Sequence, residues 1–178
     1  MYPYLRLGPF LLQLPVLALL LGIWIGSALT EKEASRLKLP AAVNNLIFVG
    51  LMAGIVGARL AYAARYLPVY LENPLSLFAL NANTLAGLDG LLIGAVSAAI
   101  YGRRKKLPLQ PTLDALAPGL AAFMVALSLA HFLSGDAFGA PAELPWSIYL
   151  WGEYRHPSQA YEVLAALVVF LVAYKKPL

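Results

Sequence analysis

The segment GEYRHPSQAYE, residues 152–162, places chemically useful side chains directly before the last apolar stretch of the chain. Arg155 and His156 precede Pro157, and a proline there indicates the first turn of a helix. The free N–H groups of a helix start favour an anion, and an arginine adds a two-pronged donor that suits phosphate. The segment therefore predicts an anion site, and the neighbouring apolar stretch points to a lipid phosphate.

Other polar side chains fall at the same end of the apolar stretches. Arg59 lies seven residues before the end of the second stretch, about 10 Å deep at 1.5 Å per helical residue, where it needs an anionic or carbonyl partner. Ser128 and His131 are three residues apart, hence on one helix face. Asp89 opens the third stretch and Asp136 follows the fourth. Convergence at one depth favours a functional site.

Each cation also has a purely structural interpretation. Arg155 could extend to the interface and touch headgroups, as arginines at the ends of membrane helices do. Arg59 could form an ion pair with Asp89 or Glu162 without touching a substrate.

The remaining polar residues have structural alternatives as well. His131 could be a neutral helix-packing residue rather than a proton carrier, and Ser128 could bond to its own helix. Asp89 could cap a helix, and Asp136 could simply be solvated.

The composition indicates that these residues are positioned by membrane helices. Of 178 residues, 61% are hydrophobic and 12% are charged, whereas soluble domains carry about a quarter charged residues. No cysteine is present, which excludes disulfides, thiolate metal sites and a thiol nucleophile. We expect neither a metal nor a cofactor.

Five apolar stretches approach the roughly 20 residues that a helix needs to cross a bilayer. The first is too long for a signal peptide and is followed by four more, so we expect it to be retained. The sequence predicts an all-α, polytopic membrane bundle of about five helices, forming a single transmembrane domain over residues 1–178. The predicted spans are 9–29, 41–66, 85–102, 115–133 and 157–174.

The loop charges predict the orientation. Lysine and arginine cluster in EKEASRLK, in GRRKK and at the final lysines, whereas loops 67–84 and 134–156 contain Arg155 as their only cation. Basic loops favour the cytoplasmic side. The N-terminus is therefore predicted outside, the C-terminus inside and the candidate site on the extracytoplasmic face. Residues 67–84 are expected along the outer interface, and the aromatic residues of 143–154 suit the same level.

Several motifs carry a family resemblance. GARLAY, ENP, DGLLIGA, DALAPGL, GDAFGAP and RHPSQAYE occur in this order and together resemble the prolipoprotein diacylglyceryl transferase family over nearly the whole chain. The resemblance implies a bacterial inner-membrane enzyme of lipoprotein biosynthesis with an outward-facing site. Such enzymes move a diacylglyceryl group from phosphatidylglycerol onto a lipobox cysteine and release glycerol phosphate. The residues that match the motifs directly are Arg59, Arg155, His156, Gln159, Tyr161 and Glu162.

Other positions depart from the family pattern. Asp89 stands where the family has a histidine followed by two glycines. Where the family reads GRIGNFINGE, this chain reads LSLAHFLSGD, so that Ser128, His131 and Asp136 replace an arginine, an asparagine and a glutamate. The outer head domain is reduced to a segment near 136–156.

The resemblance implies a mechanism. Arg155, helped by Arg59, would hold the lipid phosphate and stabilise the leaving glycerol phosphate, with Ser128 and Asp136 among the substrate-binding positions. His131 or Asp89 would take the acceptor's proton, and histidine is the better base near neutral pH. Transfer would be direct, because no cysteine is available for an intermediate.

A non-enzymatic hypothesis stands beside this one. The chain could be a catalytically altered paralogue that serves as a lipid-binding or partner-binding membrane subunit. An uncovered flank of the last span would leave room for a homodimer or a partner helix. A small transporter fits less well, because the inner halves of the spans lack charge.

Overall fold

The structure is a computed structural model that describes residues 4–7, 10–78 and 84–175. Most of these residues are helical, as the sequence predicts. In chain order the elements are β1 (Tyr4–Leu7), β2 (Phe10–Gln13), α1 (Leu14–Arg36), α2 (Ala42–Arg65), α3 (Leu67–Glu72), a 3₁₀ helix (Pro74–Phe78), α4 (Gly87–Arg104), α5 (Leu109–Ser134), β3 (Ile148–Leu150), β4 (Glu153–Arg155) and α6 (Ser158–Lys175).

Three of the described helices, α1, α2 and α5, are long and apolar enough to cross a membrane. They contain 23, 24 and 26 residues, and at 1.5 Å per residue each covers about 30 Å or more. Helix α6 is apolar but shorter, and the 18 residues of α4 include three charged side chains. The chain is therefore a helical membrane protein, while the number of five spans stays a prediction.

The first predicted span, residues 9–29, is wrong at both ends. Residues 10–13 form β2, which pairs antiparallel with β1, and Pro9 lies outside the described residues. Helix α1 begins at Leu14 because Pro15 occupies its first turn, where the missing N–H has no intrahelical partner to lose. The helix then continues through a charged end, where Arg36 pairs with Glu33 at 2.7 Å.

The chain divides into two compact units. Unit 1 comprises Met1–Leu37 and Leu113–Leu178. Within it α1 meets α5 at small residues: a Cβ added to Gly26 would lie 2.7 Å from the carbonyl oxygen of Gly119. This distance leaves no room for a side chain, so the glycines allow the two backbones to pack directly.

Unit 2 comprises Lys38–Thr112, and its central contact joins α2 to α4. The small residues Gly50, Gly54 and Ala58 of α2 pack against α4. A Cβ added to Gly94 would lie 2.6 Å from the oxygen of Gly50, and one added to Gly90 would lie 2.6 Å from the Cβ of Ala58. Close backbone approach of this kind is typical of membrane helices.

The two segments predicted at the outer interface have local structure. Residues 67–78 form α3 and the 3₁₀ helix, and 79–83 lie outside the described residues. Strands β3 and β4 form a hairpin whose turn residues, Trp151 and Gly152, have φ angles of 56° and 87°. Two positive φ angles match the twist of a two-residue hairpin. The prediction of a single domain over 1–178 stays a prediction.

Candidate active site

Arg155 is fixed where β4 meets α6. Its Nη2 lies 2.8 Å from Oε2 of Glu153, and its Nη1 donates to the carbonyl of Gly139. The guanidinium lies 4.9 Å from the ring centre of Phe138, close enough for a cation–π contact. Only 17% of the Arg155 side chain is exposed, and within the described chain its buried Nε has no partner. Such an enclosed arginine differs from one that merely extends to the interface.

The loop after α5 is tied to the start of α6. The backbone N–H of His156 donates to Ala140 at 3.0 Å, and the Ser158 hydroxyl donates to the carbonyl of Ala137 at 2.5 Å. Gln159, which is fully buried, donates from Nε2 to the carbonyl of Asp136 at 2.8 Å. The predicted helix start is confirmed to within one residue, since α6 begins at Ser158.

His131 of α5 and Glu162 of α6 form a pair that sequence reasoning did not identify. The imidazole Nδ1 lies 3.1 Å from Oε2 of Glu162, and the side chains are 34% and 42% exposed. An ionised carboxylate only accepts hydrogen bonds, so an ionised Glu162 places the hydrogen on Nδ1 and leaves Nε2 to accept a proton. A base oriented by a second group in this way is the arrangement that activates nucleophiles.

Tyr161 connects the same helix to the segment before β3. Its hydroxyl accepts a hydrogen bond from Nε1 of Trp146 at 2.8 Å, and Nδ1 of His156 lies 3.4 Å from the same oxygen. Trp146 was predicted only as an interface aromatic residue. Its indole N–H needs an acceptor, and that need was the one signal in the sequence for this contact.

Two predicted site residues adopt their structural alternatives. The Ser128 hydroxyl is buried and donates to the carbonyl of Met124 in its own helix at 2.9 Å. Asp136 is exposed and meets Gln159 through its backbone carbonyl. Direct substrate contacts by these two side chains stay predictions.

Arg59, in unit 2, is held by backbone carbonyls. It donates to the carbonyl oxygens of Ser76 at 2.5 Å, Leu77 at 2.8 Å and Thr84 at 3.2 Å, and also to the Thr84 hydroxyl. The need for an anionic or carbonyl partner is therefore met by carbonyls. The alternative ion pair with Asp89 is wrong, because that carboxylate pairs with Arg65.

The Arg65–Asp89 ion pair joins the end of α2 to the first turn of α4, with 2.6 Å between Nη2 and Oδ2. Arg59 lies six residues before Arg65, the last residue of α2. Arg65 contacts the acid, whereas Arg59 contacts the 3₁₀ helix. Asp89 therefore has a charged partner. The alternative role of Asp89 as a helix cap is not seen, because the start of α4 has no side-chain capping hydrogen bond.

The predicted site residues fall into two groups. Arg59 and Asp89 belong to unit 2. Unit 1 contains the other predicted residues, namely Ser128, His131, Asp136, Arg155, His156, Gln159, Tyr161 and Glu162.

No cluster of three or more His, Asp or Glu side chains suited to a metal ion occurs within residues 4–7, 10–78 and 84–175.

Comparison with known proteins identifies the family. Its model, described as prolipoprotein diacylglyceryl transferase, matches residues 4–176. Three relatives are each named phosphatidylglycerol–prolipoprotein diacylglyceryl transferase. The protein of Streptococcus pneumoniae strain Hungary19A-6 is 33% identical over 93% of this chain and 66% of its own length. That of Bordetella parapertussis is 30% identical over 93% of this chain and 67% of its own.

The third relative, from Methylococcus capsulatus, is 31% identical over 80% of this chain and 56% of its own length. The chain thus spans between 56% and 67% of these three relatives. With the family model matched over nearly all of its residues, the chain belongs to the prolipoprotein diacylglyceryl transferase family.

Proposed function

We propose that the chain is a membrane lipid transferase that moves a diacylglyceryl group from phosphatidylglycerol to an acceptor thiol, as the names of its relatives suggest. The single observation that carries this proposal is the His131–Glu162 pair, with 3.1 Å between Nδ1 and Oε2. The pair supplies an accessible base with a fixed orientation, and the chain has no cysteine that could act as a nucleophile instead. The acceptor would be the lipobox cysteine of a prolipoprotein.

The proposed reaction is a displacement at the glyceryl carbon that is bonded to the phosphate oxygen. His131 Nε2 takes the proton of the acceptor thiol, the sulfur bonds to this carbon, and the carbon–oxygen bond breaks. The electron pair of that bond leaves with glycerol phosphate. The positive charge of Arg155 stabilises the departing phosphate, and Arg59 is proposed as a second cation on the strength of the GARL motif.

Each neighbour of these groups has a proposed supporting role. Glu162 orients the imidazole, and His156 with Tyr161 contributes hydrogen-bonding groups for the headgroup. Gln159 holds the loop at Asp136, and Asp89 is the second candidate for the base. Ser128 is proposed to line the site without bonding the phosphate, because its hydroxyl is used within α5.

The site is proposed to face the extracytoplasmic side of a bacterial plasma membrane, in a five-span chain with its N-terminus outside. The distribution of basic residues among the loops supports this orientation. Because the chain has no cysteine, single cysteines can be introduced without background. In intact cells an impermeant maleimide should label Tyr149→Cys and spare Lys105→Cys. The reverse labelling would contradict the proposed orientation.

Activity is tested with the purified chain in liposomes that contain headgroup-labelled phosphatidylglycerol and a lipobox peptide. We expect glycerol phosphate to be released, with a large loss in His131→Ala and Arg155→Ala. Tyr174→Phe, which removes only a hydroxyl contact with Lys32, is the matched control. Retention of lipid without release would instead indicate a lipid-binding subunit.

A further inference from the structure

Trp146, Tyr161 and His156 form a row of hydrogen-bonding groups beside the start of α6. Nε1 of Trp146 donates to the Tyr161 hydroxyl at 2.8 Å, and the same oxygen lies 3.4 Å from Nδ1 of His156. The rings of His156 and Tyr161 meet edge to face, with 6.2 Å between their centres. The Tyr161 hydroxyl therefore lies between an indole N–H and an imidazole nitrogen.

The backbone around Trp146 forms a closed turn. The N–H of Ser147 donates to the carbonyl of Leu144 at 3.0 Å, and the Ser147 hydroxyl accepts from the N–H of Leu144 at 2.9 Å. Pro145 occupies the second position of this turn, where its fixed φ suits the common turn types. Two hydrogen bonds thus define the position from which the turn presents the indole, although 58% of Trp146 is exposed.

His156, at the other end of the row, is fixed by its backbone. Its N–H donates to the carbonyl of Ala140 at 3.0 Å, and its carbonyl accepts from the N–H of Gly139 at 3.3 Å. A Cβ added to Gly139 would lie 2.7 Å from the Cβ of His156, so the glycine allows this close approach. Because Tyr161 belongs to α6, all three side chains of the row extend from ordered backbone.

The donors and acceptors of the row favour one direction. An indole N–H only donates, so the Tyr161 oxygen accepts from Trp146. Among the described residues, the Tyr161 hydroxyl has hydrogen-bond contacts with Trp146 and His156 alone, and its own hydrogen therefore finds an acceptor in Nδ1 of His156. A neutral imidazole that accepts at Nδ1 carries its hydrogen on Nε2. The opposite tautomer would give the Tyr161 oxygen two donors and leave its hydrogen to solvent.

We propose that Trp146 is a positioning residue that acts through Tyr161 to hold His156 in the Nε2–H tautomer. His131 has the opposite form, because the ionised Glu162 places the hydrogen of that ring on Nδ1. Nε2 of His131 thus accepts a proton, whereas Nε2 of His156 donates a hydrogen bond. A neutral donor suits an oxygen on which negative charge develops. The assignment of that oxygen to the departing phosphate rests on the proposed function, but the tautomer does not.

The tautomers are measured by nitrogen NMR of the full chain, isotopically labelled at histidine and held in phosphatidylcholine nanodiscs without substrate. The chain has two histidines, so His131→Gln assigns both sets of ring signals. The buffer is alkaline enough to keep histidine neutral. We expect Nε2 of His156 to be protonated and its Nδ1 to be unprotonated, and we expect the reverse for His131.

Trp146→Phe keeps an aromatic ring but removes the N–H, so that the Tyr161 oxygen can accept from His156. We expect Nδ1 of His156 to become partly protonated, which moves its nitrogen signal, while the signals of His131 stay unchanged. Tyr161→Phe removes the hydroxyl itself and should move the same His156 signals. Adding Trp146→Phe to it should cause no further change, because the two residues act in series. Trp24→Phe is the matched control, since Trp24 is 70% exposed on α1 of the same unit.

Two results would overturn the inference: a hydrogen on Nδ1 of His156 in the unaltered chain, or His156 signals in Trp146→Phe that match those of Trp24→Phe. Thermal unfolding of both variants is recorded in parallel. Similar midpoints ensure that a change of tautomer reports the lost N–H rather than the fold. Because the samples contain neither phosphatidylglycerol nor an acceptor, the spectra decide this inference even if the proposed transfer fails.

Discussion

The imidazole Nδ1 of His131 lies 3.1 Å from the carboxylate of Glu162, which joins α5 to α6 through two partly exposed side chains. His131 replaces an asparagine of the family pattern, whereas Glu162 lies in the RHPSQAYE motif. The pair thus combines a departure from the family pattern with one of its retained residues, and the base proposed for this chain is therefore particular to it.

The first prediction concerns this pair. Glu162→Gln keeps the size of the side chain but can donate to Nδ1, which favours the wrong tautomer. We expect kcat to fall with little change in KM, because the carboxylate orients the base rather than the lipid. His131→Ala should reduce kcat/KM by about a hundredfold or more, the usual contribution of a general base. Steady-state release of glycerol phosphate measures both. A Glu162→Gln enzyme with unaltered kcat would exclude the orienting role.

A second prediction separates the two candidate bases. Asp89 is bonded to Arg65, with side chains 33% and 61% exposed, and exposed pairs of this kind contribute about 0.2–1 kcal/mol to stability. We expect Asp89→Asn to lower the free energy of unfolding by no more than this, and to reduce activity less than His131→Ala does. The same assay and a denaturation series provide the comparison. A larger rate loss in Asp89→Asn would transfer the role of base to Asp89.

The third prediction concerns the buried amide of Gln159. Gln159→Ala removes the bond to the carbonyl of Asp136 and leaves a gap in the interior of unit 1. Loss of a buried partner costs about 1–3 kcal/mol, so the unfolding midpoint should fall clearly. The control is Gln13→Ala, because Gln13 is exposed and makes no side-chain capping bond. Equal midpoints for the two variants would show that Gln159 does not anchor the loop.

A fourth prediction tests the contact between α2 and α4. Gly94→Ala forces a Cβ to within 2.6 Å of the Gly50 carbonyl oxygen, and overpacking of this kind costs about 1–3 kcal/mol. The matched variant Gly87→Ala meets nothing within 4 Å on the same helix and should be neutral or slightly stabilising, since alanine is the better helix former. In thermal unfolding in detergent, the midpoint of Gly94→Ala should therefore lie below that of Gly87→Ala. A stable Gly94→Ala protein would contradict the close packing.

The helical architecture was predictable because the length of an apolar stretch is a property of the local sequence. Helix α2 was predicted over 41–66 and is found over Ala42–Arg65, and the start of α6 was indicated by Pro157. The first span was misjudged because the apolar residues 10–12 suit a strand as well as a helix when they are judged by composition alone. Only Pro15 distinguished the two.

The side-chain partners were less predictable. Arg59 donates to backbone carbonyls of the 3₁₀ helix, and the sequence does not indicate which carbonyls a side chain will meet. Asp89 was one of two acidic residues considered as an alternative partner, and it pairs with Arg65 instead. The contact of His131 with Glu162 depends on how α5 and α6 are rotated about their axes, which spacing along each helix does not determine.

The most direct test of the central claim is mass spectrometry of a lipobox peptide after incubation with the purified chain in phosphatidylglycerol liposomes. The account predicts that the peptide gains one diacylglyceryl group on its cysteine sulfur, together with an equal amount of free glycerol phosphate. The gain should be absent for His131→Ala and for a peptide whose cysteine is replaced by serine. An unmodified peptide after incubation with a folded, lipid-loaded chain would contradict the proposed transfer.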